Sequence, residues 1–181
     1  MRSQNKFNVA YIKLCTKTEG PFNRCCLRFH GCNLNCKGCC NKDLQALIPN
    51  HIVGFDKLVE IVKEAKDNFG IEGVTLSGGE PSLQKGLVDF NKAIHDLGLG
   101  IIMFSGKNKD ELNPELVSSV DLLIDGPFIE SKLDTNRVLL GSKNKNLTFI
   151  TDRYITESDY FNNSVAIEEV TAEDYIFING D

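Results

Sequence analysis

Four of the chain's seven cysteines fall within eleven positions, in GCNLNCKGCCN (31–41). Cys32, Cys36 and Cys39 follow a C-x3-C-x2-C spacing, and Cys40 comes directly after. Thiols this dense suit a disulfide knot, a zinc clip, an iron–sulfur ligand loop or small apolar filler. The chain's start, MRSQNKFNVAYIKLC, lacks the apolar run of a secretory leader, and no later stretch approaches a membrane span. A cytoplasmic location is expected. Thiols are kept reduced there, and seven cannot pair off completely, so a disulfide framework fits poorly. Zinc usually takes four ligands from two separated pairs. Cys36 and Cys39 make one pair, no cysteine follows Cys40, and the only histidines downstream are His51 and His95. Three thiolates on one loop better suit a [4Fe–4S] cubane, holding three irons and leaving the fourth open. Ordinary ferredoxin clusters are closed by four cysteines. An open iron implies a further ligand, and a reactant is the natural one. Gly38 would let the loop turn tightly around the cluster.

Such a loop needs a scaffold. RCCLRFHG (24–31) reads as a strand running straight into it. FDKLVEIVKEAKDNF (55–69) places Phe55, Leu58, Val59, Val62, Ala65 and Phe69 on one helical face. IEGVTLS (71–77) is a second strand, ending in Gly-Gly. Leu83, Leu87, Phe90, Ile94 and Leu97 predict a second helix that stops at Gly98. LGIIMFS (99–105) is a third strand, and Asn113 caps a helix over 113–120 with Pro114 at its first position. DLLIDGPF (121–128) is a fourth strand and turn. This alternation predicts an α/β fold with a parallel sheet, here a partial (β/α) barrel with an open edge. NRVLLG, NLTFIT, SVAIEEV and DYIFING then read as short strands, so a core over about 8–150 is followed by a C-terminal β appendage over 151–181. The 181 residues suit one domain.

In parallel α/β folds the chemistry sits at the carboxyl ends of the strands. Every unusual motif here falls at one: the cysteine loop after the first strand, SGGEP (77–81) after the second, FSGK (104–107) after the third and DGPF (125–128) after the fourth. Plainer roles compete at each. SGGEP can be an ordinary strand–helix turn, Asp125 a turn former, and Ser105 and Gly106 loop residues. Cys15, Cys25 and Cys26 read as buried filler, and Cys40 as a non-ligand. Arg28 and His30 share a strand face with Cys26, where a structural role is favoured over a place in a barrel lumen. The net charge of -5 offers no basic footprint for nucleic acid or an anionic membrane. With 41% hydrophobic and 25% charged residues, disorder is not expected.

The first strand and cysteine loop resemble the radical S-adenosylmethionine superfamily, and most of all the anaerobic ribonucleotide reductase activating proteins and their small single-cluster relatives. Gly38 before the third cysteine and Asn41 two positions after it match that group. EGPFNR (19–24), SGGEP, LLIDGPFIE (123–130) and NRVLLGSKN (136–144) resemble its lead-in, methionine-binding turn, acidic segment and Arg-Gly-Ser-x-Asn stretch. The chain departs from the pattern at Phe22 for Gly, Cys40 for an aromatic, Leu140 for Arg and Lys145 for Gln.

The resemblance implies a [4Fe–4S] cluster on Cys32, Cys36 and Cys39, with S-adenosylmethionine at the open iron. Gly78, Gly79 and Glu80 would meet its methionine moiety, with the ammonium near Glu80. Ser105 and Gly106 would lie by the ribose or adenine, and Asp125 would be an acidic contact. The implied reaction is reductive cleavage to a 5′-deoxyadenosyl radical that abstracts hydrogen. The implied partners are a glycyl radical enzyme and a flavodoxin- or ferredoxin-type electron donor. A stand-alone radical enzyme acting on a peptide or small metabolite shares every motif. A non-catalytic electron-transfer module would want a fourth protein ligand. The short chain favours the activator, because an open face suits a partner that brings its own loop.

Overall fold

The computed structural model describes residues 4–162 and the backbone of residues 175–176. The strands are β1 (Lys6–Thr16), β2 (Arg24–Phe29), β3 (His51–Gly54), β4 (Gly73–Gly78), β5 (Gly100–Phe104), β6 (Leu122–Asp125), β7 (Asn146–Phe149) and β8 (Tyr175–Ile176). The helices are α1 (Phe55–Phe69), α2 (Leu87–Asp96) and α3 (Pro114–Ser118). One mixed sheet runs in the order β3-β1-β2-β4-β5-β6-β7, with β8 also pairing β1. Strands β2, β4, β5 and β6 are parallel, as the alternating pattern predicts. β1, β3, β7 and β8 join antiparallel. The sheet stays open, with β3 and β7 at the ends of its path among the described residues.

Side chains alternate across β2. Cys25, Leu27 and Phe29 enter the main core with Leu58, Val62, Phe90, Ile94 and Leu116 from the three helices. Phe7, Phe29, Phe55 and Phe90 stack there, Phe7 and Phe90 with ring centres 5.4 Å apart. Each buried ring is worth about 1.5–3 kcal/mol. The three helices thus cover one face. Arg24, Cys26 and Arg28 alternate onto the other, where a smaller cluster of Ile102, Leu122, Ile124, Leu140, Tyr154 and Phe161 covers part of the surface. Register aligns the parallel strands, Phe29 opposite Gly78 and Phe104 opposite Ile124, so their following loops emerge along one edge.

Several expectations change. β1 and β3 are missed by the helix–strand alternation, yet β1 pairs with β2, β3 and β8. The stripe from Leu83 is two pieces: a 3-10 turn over Pro81–Leu83, then a left-handed Gly86 that starts α2. Residues 136–140 form a bend and a turn rather than a strand, because Arg137 wraps back onto Asp134, Ser142, Lys143 and Lys145. Residues Asp152–Asn162 are 3-10 helix rather than β appendage. Their buried positions, Tyr154 and Phe161, are seven residues apart, an odd spacing that a strand's alternation would put on opposite faces. The strand read in DYIFING is partly present as β8, while SVAIEEV lies outside the described residues.

Candidate active site

The cysteine loop leaves the end of β2 and is keyed onto the neighbouring strand ends by three contacts. Gly79 N–H donates to Phe29 O (2.8 Å) and Glu80 N–H to Gly31 O (2.9 Å), which carries the β2–β4 pairing past the strands into the loop. A Cβ on Gly79 would lie 2.3 Å from the Gly31 carbonyl oxygen, and one on Gly78 2.4 Å from that of Phe29. Only glycine lets the turn press this close. Leu34 then packs over Gly106, where a Cβ would meet its side chain at 2.4 Å. Asn41 closes the loop: Nδ2 donates to Gly78 O (3.2 Å), and its own N–H donates to Cys39 Sγ (3.3 Å).

Within the loop, Cys39 N–H donates to Cys36 O (3.3 Å), and Gly38 holds φ +74° at the corner of that turn. Cys32, Cys36 and Cys39 are half-buried, Cys40 is exposed, and all four are free thiols. Burial pushes the Cys32 thiol up, a Leu34 N–H pulls it down, and the negative charge of Glu80, Cys36 and Cys39 raises it again. Thiolates gathered this way repel one another until a cation neutralises them. Among the described residues no three Cys, His, Asp or Glu side chains converge on a single ion. A cubane makes a different demand, since each thiolate binds a different iron and the sulfurs surround the cluster. The donor set therefore fits a three-cysteine cluster. Cys25 and Cys26 are buried on opposite faces of β2, and burial pushes Cys26 up to about 12 and raises Cys25 as well, which suits filler rather than ligands.

Glu80 is fully buried. Its Oε1 accepts from Ser82 N–H (3.1 Å) and Ser105 Oγ (2.9 Å), and its Oε2 from Gly106 N–H (2.9 Å). Glu80, Ser105 and Gly106 therefore meet in one cluster, and the carboxylate joins the end of β4 to the end of β5. Asp125 is also buried, but it faces Lys109 N–H, Asn146 Nδ2 and Thr148 Oγ1. It lines a separate cleft of about 720 Å³ with Leu112, Val117 and Ile150. Asp125 is thus held by the loop after β5 and by β7.

Sequence reasoning gave no role to Glu19, whose Oε1 lies 2.5 Å from Arg28 Nη2; Arg28 also reaches Asn41 Oδ1 (3.4 Å). This pair lies beside the cysteine loop, on the sheet face opposite α1, α2 and α3. Lys145, noted only as a departure, donates from Nζ to Gly126 O (2.7 Å) and Ser105 O (3.1 Å). Leu140, the other departure, is fully buried in the second cluster. Arg24, at the far end of β2, is fully buried and donates to Thr75, Val74 O, Glu72 and Tyr154, a structural role.

Residues 18–148 match the family model described as a 4Fe-4S single cluster domain. The anaerobic ribonucleoside-triphosphate reductase-activating protein of Escherichia coli is 32% identical over 138 residues, covering 70% of this chain and 88% of that protein. The chain belongs to this activating-protein family. The Haemophilus influenzae member is 31% identical over 140 residues, with the same coverage of 70% and 88%. A GTP 3',8-cyclase of Clostridium perfringens is 32% identical over 118 residues, 65% of this chain but 28% of that one. The crystal structure of QueE from Escherichia coli shares the fold, with a TM-score of 0.52 at 12% identity over 66% of this chain and 71% of that one. The family is one of radical S-adenosylmethionine enzymes, and its cofactors are a [4Fe–4S] cluster and S-adenosylmethionine. No helix among the described residues is long and apolar enough to cross a membrane.

Proposed function

We propose that the chain forms a glycyl radical on a partner enzyme, an anaerobic ribonucleotide reductase, taking its electrons from a flavodoxin- or ferredoxin-type donor in the cytoplasm. The carrying observation is the cysteine loop seated by Gly79 and Leu34 on the ends of β4 and β5, at the carboxyl edge of the parallel strands. Cys32, Cys36 and Cys39 would hold the cluster. What the bound groups supply is one electron and a carbon radical, from reductive opening of the sulfonium C–S bond.

The chain's own residues position and shield. Gly78 and Gly79 keep the turn flush with the loop, so that backbone rather than side chain faces the methionine moiety. Glu80 fixes the Ser105–Gly106 turn, which offers the surface for the nucleoside part. Asp125 acts through Lys109 and Thr148, shaping the loop after β5. Residues 1–181 are read as one domain, and the open sheet as a partial (β/α) barrel whose face opposite α1, α2 and α3 admits a loop of the partner. That loop would bring a backbone glycine Cα–H to the radical and complete the enclosure.

The test is anaerobic reconstitution of the full chain, expected to give about one [4Fe–4S] cluster. Cys32→Ala, Cys36→Ala or Cys39→Ala should each abolish it, and Cys40→Ala should spare it. With dithionite, S-adenosylmethionine and the reductase, an electron paramagnetic resonance signal of a glycyl radical is expected on the partner, and none when the partner's glycine is changed to alanine. A signal that persists in that control, or a peptide or nucleotide altered in its place, overturns the activator reading in favour of a stand-alone radical enzyme.

A further inference from the structure

Lys145 stands out because two backbone carbonyls hold its ammonium at the carboxyl edge of the sheet. The chain reaches that position through a tightly fixed loop. Arg137 is anchored by Asp134 (2.6 Å) and donates to the carbonyls of Ser142, Lys143 and Lys145, while Lys145 N–H donates to Ser142 O (3.1 Å). The side chain then crosses to the carboxyl edge of the sheet. Nζ is held by Ser105 O at the end of β5 and by Gly126 O at the end of β6. An ammonium has three N–H donors, and these carbonyls take two. Ser105 and the adjacent Gly106 are the residues that bind Glu80, and Gly106 lies under Leu34 of the cysteine loop. The charge is thus tied to the frame that seats the loop. Burial pulls the ammonium down from its ordinary range, and the negative charges it feels in return come from Glu80, Cys36, Asp125 and Cys40.

A fixed cation beside an iron–sulfur group favours the more negative, reduced state, and net local charge is among the factors that set cluster potentials. We propose that Lys145 is a positioning residue whose ammonium, clamped between the Ser105 and Gly126 carbonyls, raises the reduction potential of the cluster held by the cysteine loop. This rests on the cluster assignment above.

The experiment compares reconstituted wild-type protein with Lys145→Gln, Lys145→Met and Lys145→Arg by anaerobic potentiometric titration followed by electron paramagnetic resonance, with iron content and S-adenosylmethionine affinity measured alongside. The Gln and Met variants should hold the same iron and shift to a more negative midpoint, and the Arg variant should return toward wild type. The expected loss is on the order of tenfold in the one-electron equilibrium, the scale of a unit charge acting over ~10 Å at an effective dielectric of ~20, or ~59 mV. Cluster loss in the Gln and Met variants with retention in the Arg variant also supports a role for the charge. Unchanged midpoints in loaded Gln and Met variants overturn the proposal, as does cluster loss in all three, which would assign Lys145 to packing. A wild-type chain that takes up no [4Fe–4S] cluster would instead refute the cluster assignment itself.

Discussion

Replacing Glu80 separates a structural carboxylate from one that touches the cofactor. In Glu80→Gln, an amide oxygen at Oε1 can still accept from Ser82 N–H and Ser105 Oγ. The amide nitrogen then faces the Gly106 N–H that Oε2 accepts, donor against donor. One buried donor left without a partner costs about 1–3 kcal/mol. Glu80→Ala removes all three acceptor contacts and opens a hole beneath Gly106. Hydrogen bonds to a charged group are worth about 1.5–3 kcal/mol each. The sum is reduced because wild type also bears the cost of burying the charge, so about 3–5 kcal/mol is expected. Urea unfolding of the cluster-free, reduced protein measures this, provided the denaturant slope stays constant across variants. S-adenosylmethionine affinity of reconstituted protein is read in parallel and should fall roughly with stability. A Glu80→Ala chain that unfolds within about 1 kcal/mol of wild type yet binds no S-adenosylmethionine would refute the argument. The carboxylate would then be receiving the ammonium directly.

Two further outcomes are expected. Phe22 holds φ +66° and is 50% exposed, where the resembling motif has Gly. The left-handed conformation costs an ordinary residue about 1–2 kcal/mol, and glycine gives back part of this as unfolded-state entropy. Phe22→Gly should therefore stabilise by about 0.5–1 kcal/mol in urea unfolding, and a destabilised variant would show that contacts of the ring outweigh the strain. Asp121 links His95 Nε2 (3.0 Å), Ile101 N–H (2.8 Å) and Thr151 Oγ1 (2.7 Å). Burial alone would raise its carboxyl, but these bonds win and hold it below the ordinary range. Its stabilisation is thus complete above the unfolded value of about 3.9 and is lost as pH falls through that value toward the lower folded one. Asp121→Asn should flatten the acid limb of the stability profile, and an unchanged limb would remove Asp121 as its source.

The cysteine spacing, the Gly-Gly-Glu-Pro turn and the four parallel strands were legible because each rests on local chemistry: ligand count, backbone freedom and hydrophobic period. The placement of every motif at a strand's carboxyl end followed from those strands, and the register confirms it. What the motifs do to one another was not legible. Gly79 reads from sequence as a cradle for methionine, but the structure shows why it must be glycine even without a ligand, since the Gly31 carbonyl already fills that space. The resemblance places the methionine ammonium near Glu80, and the structure makes its carboxylate a buried tie between two strand ends. Asp125 was grouped with them and is instead held by Lys109, Asn146 and Thr148.

Contacts across long sequence separations decided the rest. β1 carries its apolar alternation through Phe7 and Val9, but a register shift between Val9 and Tyr11 interrupts its period, and only pairing with β2 and β3 defines it as a strand. The segment from Asp152 could not be assigned by period alone. Tyr154 is drawn down to Arg24 and Glu72, more than eighty residues earlier in the chain, and the backbone winds to let it reach them. Lys145 follows the same logic. A lysine in a polar loop ordinarily points to water, because an isolated buried ammonium is costly. Here the ends of β5 and β6, 40 and 19 residues away, supply the two carbonyls that hold it. The sequence by itself determined which chemistry the chain can carry, because ligand types and turn residues are local properties. Only the tertiary structure decided which charges surround that chemistry, because those charges come from strands that meet only once the sheet has formed.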